Sequence, residues 1–200
     1  MIKTWGNIVC VIDTETTGLD PKLHEIVEIC VLPLDADLTP YPGVTPFHTY
    51  LKPTRMQNIN DAALKVNKTN IVQLIERGID PFDAADLFDD WYMQLPLQPG
   101  KRIIPLGHNY AFDRSFIYEW VGEKSYNDYF HYHYMDSMLS AQFINNRADF
   151  RLEVRPFDKI SLTQVAYNLN IKQVDSHTAI GDCMTTMQCY KAMLTMFMAP

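Results

Sequence analysis

Residues 8–12, Ile-Val-Cys-Val-Ile, constrain the fold more than any other stretch, because they form an unbroken apolar run with four β-branched side chains and no polar alternation. Such a run suits a strand buried on both faces, in a sheet with helices on each side. Gly18-Leu19-Asp20-Pro21 supplies turn chemistry behind it and 25–32 reads as a second strand, so the pair predicts a hairpin. Four prolines and a glycine predict loop over 33–46, before 47–51 alternates as a third strand. Beyond them, 59–66, 81–95, 112–121, 136–145, 162–169 and 178–198 read as helices and 102–106 as a strand. Three early strands followed by alternating strand and helix predict an α/β domain, a mixed sheet covered by helices.

A length of 200 residues with 47% apolar content fits one domain over 1–200 with a sizeable core. No segment approaches the roughly 20 apolar residues of a membrane span, and the opening Met-Ile-Lys-Thr-Trp-Gly lacks the apolar stretch of a secretory signal. The expectation is a soluble, cytoplasmic protein with no membrane partner. Cys10, Cys30, Cys183 and Cys189 form no CxxC pair and lie among apolar neighbours, which predicts reduced, buried thiols.

Chemistry first shows at the end of the opening strand, where Asp13-Thr14-Glu15 sets two carboxylates two residues apart. Side chains alternate along an extended chain, so both face the same way and lie within reach of one cation. Alone, such a pair is usually a solvated turn; the adjacent Thr16-Thr17-Gly18 strengthens the metal reading by letting backbone and substrate approach. Gly107-His108-Asn109-Tyr110-Ala111-Phe112-Asp113 follows the 102–106 strand, and sites in open α/β sheets lie beyond the carboxyl ends of strands. Asp113 is placed to join the first two acids, or else serves the helix dipole; His108 and Asn109 read as turn or capping residues. In Ser176-His177-Thr178-Ala179-Ile180-Gly181-Asp182, His177 and Asp182 converge only if His177 precedes the helix, with Asp175 or Ser176 as its cap. A histidine so placed can take a proton from a water at neutral pH.

In order, the three motifs are Asp-x-Glu-Thr-Thr-Gly, His-Asn-x-x-Phe-Asp and His-x-Ala-x-x-Asp. This resembles the DEDD exonuclease superfamily in its histidine-bearing (DEDDh) branch, which includes the proofreading subunit of bacterial DNA polymerase III, ribonuclease T and oligoribonuclease. Asp136 at a helix start and the Ser161-Leu162-Thr163 segment agree with it. The resemblance implies a ribonuclease H-like fold and 3′→5′ exonuclease activity, with Asp13, Glu15, Asp113 and Asp182 as ligands of two Mg²⁺ or Mn²⁺ ions and His177 as general base. It also implies that Thr16 and Leu19 contact the terminal nucleotide, Asn109 its backbone and Asn67 its sugar. Where family members carry Asn-Gly-Ile or His-Gly-Ile, this chain has Asn67-Lys68-Thr69. The hexapeptide Asp-Thr-Glu-Thr-Thr-Gly looks closer to the DNA proofreaders, so the expected partners are 3′ ends, single-stranded DNA ahead of RNA, and a separately encoded DNA polymerase.

A net charge of −7 is awkward for a protein that grips phosphate, though two divalent ions would bring it to about −3. Arg147, Arg151, Arg155 and Lys159 recur every four residues and either flank the strand path or form a solvated face. The alternating 129–134, Tyr-Phe-His-Tyr-His-Tyr, reads as an aromatic core strand ahead of a base-stacking surface. Besides an exoribonuclease, two other classes remain: a catalytically dead binding domain of the same fold, whose signature would be a missing acid or histidine although all five residues are present, and a metal-dependent phosphatase or other small-molecule hydrolase.

Overall fold

The computed structural model describes residues 1–66 and 70–196. In chain order its elements are β1 (Ile8–Thr16), β2 (Ile26–Leu34), β3 (Phe47–Tyr50), α1 (Asp61–Val66), α2 (Ile71–Arg77), α3 (Pro81–Tyr92), β4 (Ile103–Gly107), α4 (Tyr110–Val121), α5 (Glu123–Tyr129), β5 (Met135–Asp136), α6 (Ser137–Phe150), α7 (Leu162–Asn168) and α8 (Ala179–Thr195). The run at 8–12 is the middle of the sheet, whose order is β3-β2-β1-β4-β5. The β1–β2 and β2–β3 pairs are antiparallel, and the β1–β4 and β4–β5 pairs are parallel.

Burial on both faces follows from the period of two. Ile8, Cys10 and Ile12 enter one core with Phe88 of α3 and Phe116 of α4, while Val9 and Val11 enter another with Cys183 and Met187 of α8. Ala141 and Ile144 of α6, Val165 of α7 and Cys189 and Met193 of α8 form a third cluster. Helices on both faces of a mixed sheet are the expected α/β architecture. All four cysteines are free and buried, as expected. Among the described residues, no helix is long and apolar enough to cross a membrane.

Several expectations need correction. β2 runs on through Pro33 to Leu34, where loop was expected. The proline is tolerated because its C=O turns away from β1 to accept from Tyr41 N–H, so its missing N–H faces a side where β3 has ended. The segment 129–134 is not a core strand: Tyr129 ends α5, Phe130 alone is buried, and Tyr132 is 71% exposed. At 147–159, α6 ends at Phe150, while Arg151 lies near Glu153 and Arg155 pairs with Asp149 at 2.7 Å, so the four cations share no helix face. The short helices α2 and α5 were not foreseen.

Candidate active site

The acids meet at the C-terminal end of β1. Asp13 and Glu15 lie on the β1 face that packs against α8, and Asp182 sits in the first turn of α8. Each offers an oxygen within 4.8 Å of the others, and all three are partly exposed. Asp113, in the first turn of α4, stands outside this close group, on the other face of β1. Thr14 reaches it there: its backbone N–H and its hydroxyl both donate to Asp113 Oδ1, at 2.9 and 2.7 Å. Asp113 is 4% exposed and Thr14 7%.

Charge crowding is the electrostatic signature of the cluster. Burial, then the charges of Asp113, Asp182 and Glu15, push the Asp13 carboxyl well above the usual range. Burial raises Asp113 to about 7, against the two Thr14 bonds that lower it. An all-oxygen set of crowded carboxylates fits hard divalent cations, whose binding would relieve the repulsion.

The histidine lies in the turn directly before α8, with φ 65°, and is partly exposed. The cap of α8 is Thr178, not Asp175 or Ser176: its hydroxyl accepts from Gly181 N–H at 3.2 Å and donates to Asp175 C=O at 2.7 Å. Gly181 lets this turn pack close, since a Cβ there would fall 2.3 Å from Asp175 O and 2.6 Å from Val174 O. Thr16 is buried beside a register shift at Glu15/Thr16 and donates to Gly18 C=O at 2.6 Å, and Leu19 is 79% exposed on the turn. Asn109 is an exposed left-handed residue at the start of α4 with no side-chain capping bond. Asn67 lies outside the described residues.

Sequence reasoning placed Asp136 at a helix start and His108 in a turn, but missed that together they hold the second motif. Asp136 accepts from the N–H groups of Asn109 and Tyr110, at 3.2 and 2.8 Å, and also caps α6 through Met138 and Leu139 N–H. His108 bonds Ser137 Oγ at 2.8 Å and Ile160 C=O at 2.9 Å. A carbonyl only accepts, so Nε2 carries the hydrogen; burial lowers the pKa against Asp136 and Ile160, which favours the neutral ring. The signal for Thr14 was available: a residue between two acids on a strand must point to the opposite face, where α4 packs.

Residues 10–190 match the Exonuclease family model (RNase_T). Over 126 residues the chain is 27% identical to oligoribonuclease of Haemophilus ducreyi, covering 62% of this chain and 67% of that protein. Over 115 residues it is 31% identical to ribonuclease T of Haemophilus influenzae, covering 56% of this chain and only 50% of its relative's length. In three dimensions it is similar to E. coli exonuclease I in complex with a dT13 oligonucleotide (TM-score 0.69, 18% identity, 96% of this chain and 41% of that one) and to cell-death related nuclease 4 (TM-score 0.72, 14% identity, 96% and 64%). At such identities the likeness is one of fold, the ribonuclease H-like sheet. With the family model spanning most of the chain and the acids of its three motifs gathered around the end of one strand, the chain belongs to the exonuclease (RNase_T) family of the DEDD superfamily.

Proposed function

We propose that this chain, as a single exonuclease domain over 1–200, is a metal-dependent 3′→5′ exonuclease that releases nucleoside 5′-monophosphates. The observation that carries the reading is the group of oxygens from Asp13, Glu15 and Asp182 within 4.8 Å of one another, with Asp113 fixed behind β1 by Thr14. Asp13, Glu15, Asp113 and Asp182 would hold two Mg²⁺ or Mn²⁺ ions. Held there, the ions would supply charge stabilisation to the attacking and leaving oxygens of an in-line displacement at phosphorus. The remaining work falls to the chain. His177 takes the proton of the attacking water as general base. Thr16 and Leu19, at the head of the β1–β2 turn, contact the terminal nucleotide; Asn109 lies at its backbone, and Asn67 is assigned to its sugar.

Single-stranded DNA is the preferred substrate in this reading, supported by the Asp-Thr-Glu-Thr-Thr-Gly signature, with a separately encoded DNA polymerase as a partner. The exoribonuclease reading is supported by the names of the relatives, ribonuclease T and oligoribonuclease. Buried free thiols support a cytoplasmic location. DNA and RNA oligonucleotides of one sequence, 5′-labelled and digested side by side with Mg²⁺, Mn²⁺ or EDTA, test the polarity, the metal requirement and the substrate preference. Progressive shortening from the 3′ end that stops in EDTA is expected, faster on DNA. Full digestion after exhaustive chelation would overturn the metal reading, and faster digestion of RNA would overturn the DNA preference.

A further inference from the structure

Leu19 stands 79% exposed on the β1–β2 turn, and a surface turn is ordinarily among the looser parts of a domain. Here it is braced by a segment about 30 residues further along the chain. The Glu25 carboxylate closes the turn, and its side chain is 15% exposed. Its Oε2 accepts from the backbone N–H of Thr54 at 2.9 Å and of Arg55 at 2.7 Å, while Oε1 accepts from the Thr54 hydroxyl and lies 3.8 Å from Arg55 Nε. The same segment bonds the turn at three further points. Arg55 Nη1 donates to Lys22 C=O at 3.0 Å, Asn58 Nδ2 to Leu23 C=O at 2.9 Å, and Asn60 N–H to Thr17 C=O at 2.8 Å. Thr17 is itself joined to Glu25: its N–H donates to Glu25 C=O and its hydroxyl accepts from Glu25 N–H, each at 2.9 Å. On the other side, Lys22 pairs with Glu119 of α4.

The brace acts on the turn rather than on the acids, which are gathered by β1 and α8 and, for Asp113, by Thr14. A turn fixed in advance presents Leu19 without an ordering cost at the moment of binding. We propose that Glu25 is a positioning residue of the exonuclease site, holding the turn that receives the terminal nucleotide against the 54–60 segment; this rests on the exonuclease reading and its assignment of Thr16 and Leu19. The fold supplies its own comparison for a purely structural role. Beyond the far end of β2, Asp35 accepts from Asp37 N–H, Thr39 N–H and the Thr39 hydroxyl at 3.0, 2.9 and 2.8 Å, the same chemistry on a turn away from the acids.

The test measures steady-state kinetics of the full chain with Mg²⁺ on a single-nucleotide ester, thymidine 5′-(p-nitrophenyl phosphate), at a temperature where every variant is folded. Glu25→Gln offers one oxygen where two are engaged and sets an NH₂ group against N–H donors. Its KM is expected to rise about three- to tenfold, because the turn must now be ordered on binding, with kcat within about twofold of the parent. Asn58→Ala, which cuts the bond to Leu23 C=O, should raise KM in the same direction, and it decides the matter if Glu25→Gln does not fold. Asp35→Asn should lower the melting temperature as Glu25→Gln does but leave KM alone. An unchanged KM in folded Glu25→Gln, or an equal rise in Asp35→Asn, would overturn the proposal while sparing the exonuclease. Calorimetric titration with thymidine 5′-monophosphate and Mg²⁺ reads binding without turnover, and the Kd of Glu25→Gln should weaken by the same factor as its KM. If the parent bound the monophosphate but did not cleave the ester, the exonuclease reading would fail, and an unchanged Kd in Glu25→Gln would then overturn the positioning role on its own. A parent that did neither would overturn both.

Discussion

Thr14 stands between Asp13 and Glu15 in sequence yet works on the other side of the sheet, delivering both donors to one oxygen of Asp113. The hydroxyl therefore orients a carboxylate that the close group of three does not include. Thr14→Val keeps the β-branched shape and the backbone bond but removes the hydroxyl. We expect kcat to fall roughly 10- to 100-fold, the usual cost of losing a partner that orients a metal ligand, with more Mg²⁺ needed for half-maximal rate. A Mg²⁺ titration matching the parent would show that the hydroxyl is dispensable. His177 poses a different question, because its left-handed backbone gives it a structural part as well. Asparagine tolerates that conformation better than most residues. His177→Asn and His177→Ala should therefore lose kcat alike, by something like 10²- to 10⁴-fold for a positioned base, while the melting temperature of the asparagine variant stays near that of the parent. Near-parental turnover with a lowered melting temperature would return the histidine to structure.

At the scale of the element, α8 places both His177 and Asp182, and its start is set by Thr178 and Gly181. Gly181→Ala would drive a Cβ into the carbonyls of Val174 and Asp175, and it is those backbone atoms that must yield. The expected result is a stability loss of about 1 to 3 kcal/mol, as for overpacking generally, with kcat reduced at least tenfold because the turn carrying His177 moves. Thermal melts and turnover on one sample check both, and an unchanged kcat would detach the turn from the chemistry. The same elements show what the sequence made legible. The β-branched run of β1, the alternation of Asp13 and Glu15 and the order of the motifs were enough to place the sheet and gather the acids. What escaped depends on partners far along the chain. Asp136 caps its own helix and, 27 residues back, the start of α4, and only the first of these duties is local. The 129–134 segment has the alternation of a strand, but β4 meets it only at a single Ile103–Phe130 bridge before β5 pairs at Met135 and Asp136, so Phe130 alone of these rings enters the core. No pattern of residue types reports how far a neighbouring strand stays in register.

Across the whole molecule, the acid cluster ties folding, proton uptake and metal binding together. Burial raises Asp113 to about 7 and moves Asp13 in the same direction, so in the metal-free protein the folded state holds protons that the unfolded chain gives up near pH 4. For a carboxyl raised on folding, the stabilisation is complete below the unfolded pKa and is lost as pH rises through the folded one. Metal-free protein should therefore lose stability between about pH 4 and about pH 7. Asp35 and Asp149 are shifted downward, and their effect falls at more acid pH, outside that window, whereas His108, lowered by burial, adds stability as pH rises toward about 6.5 and offsets part of the loss. Divalent ions require the deprotonated carboxylates, so their binding should strengthen across the same range. At a hundredfold excess over Kd a ligand adds about 2.7 kcal/mol, or roughly 5 to 10 °C in a chain of this size. The difference in melting temperature between Mg²⁺ and EDTA should thus be small near pH 5 and approach that figure near pH 8. Asp113→Asn should flatten the EDTA curve, because the neutral amide has no proton to lose. An EDTA melting temperature that climbs from pH 5 to pH 7, or a Mg²⁺ effect independent of pH, would show that these carboxylates do not carry the repulsion the cluster implies.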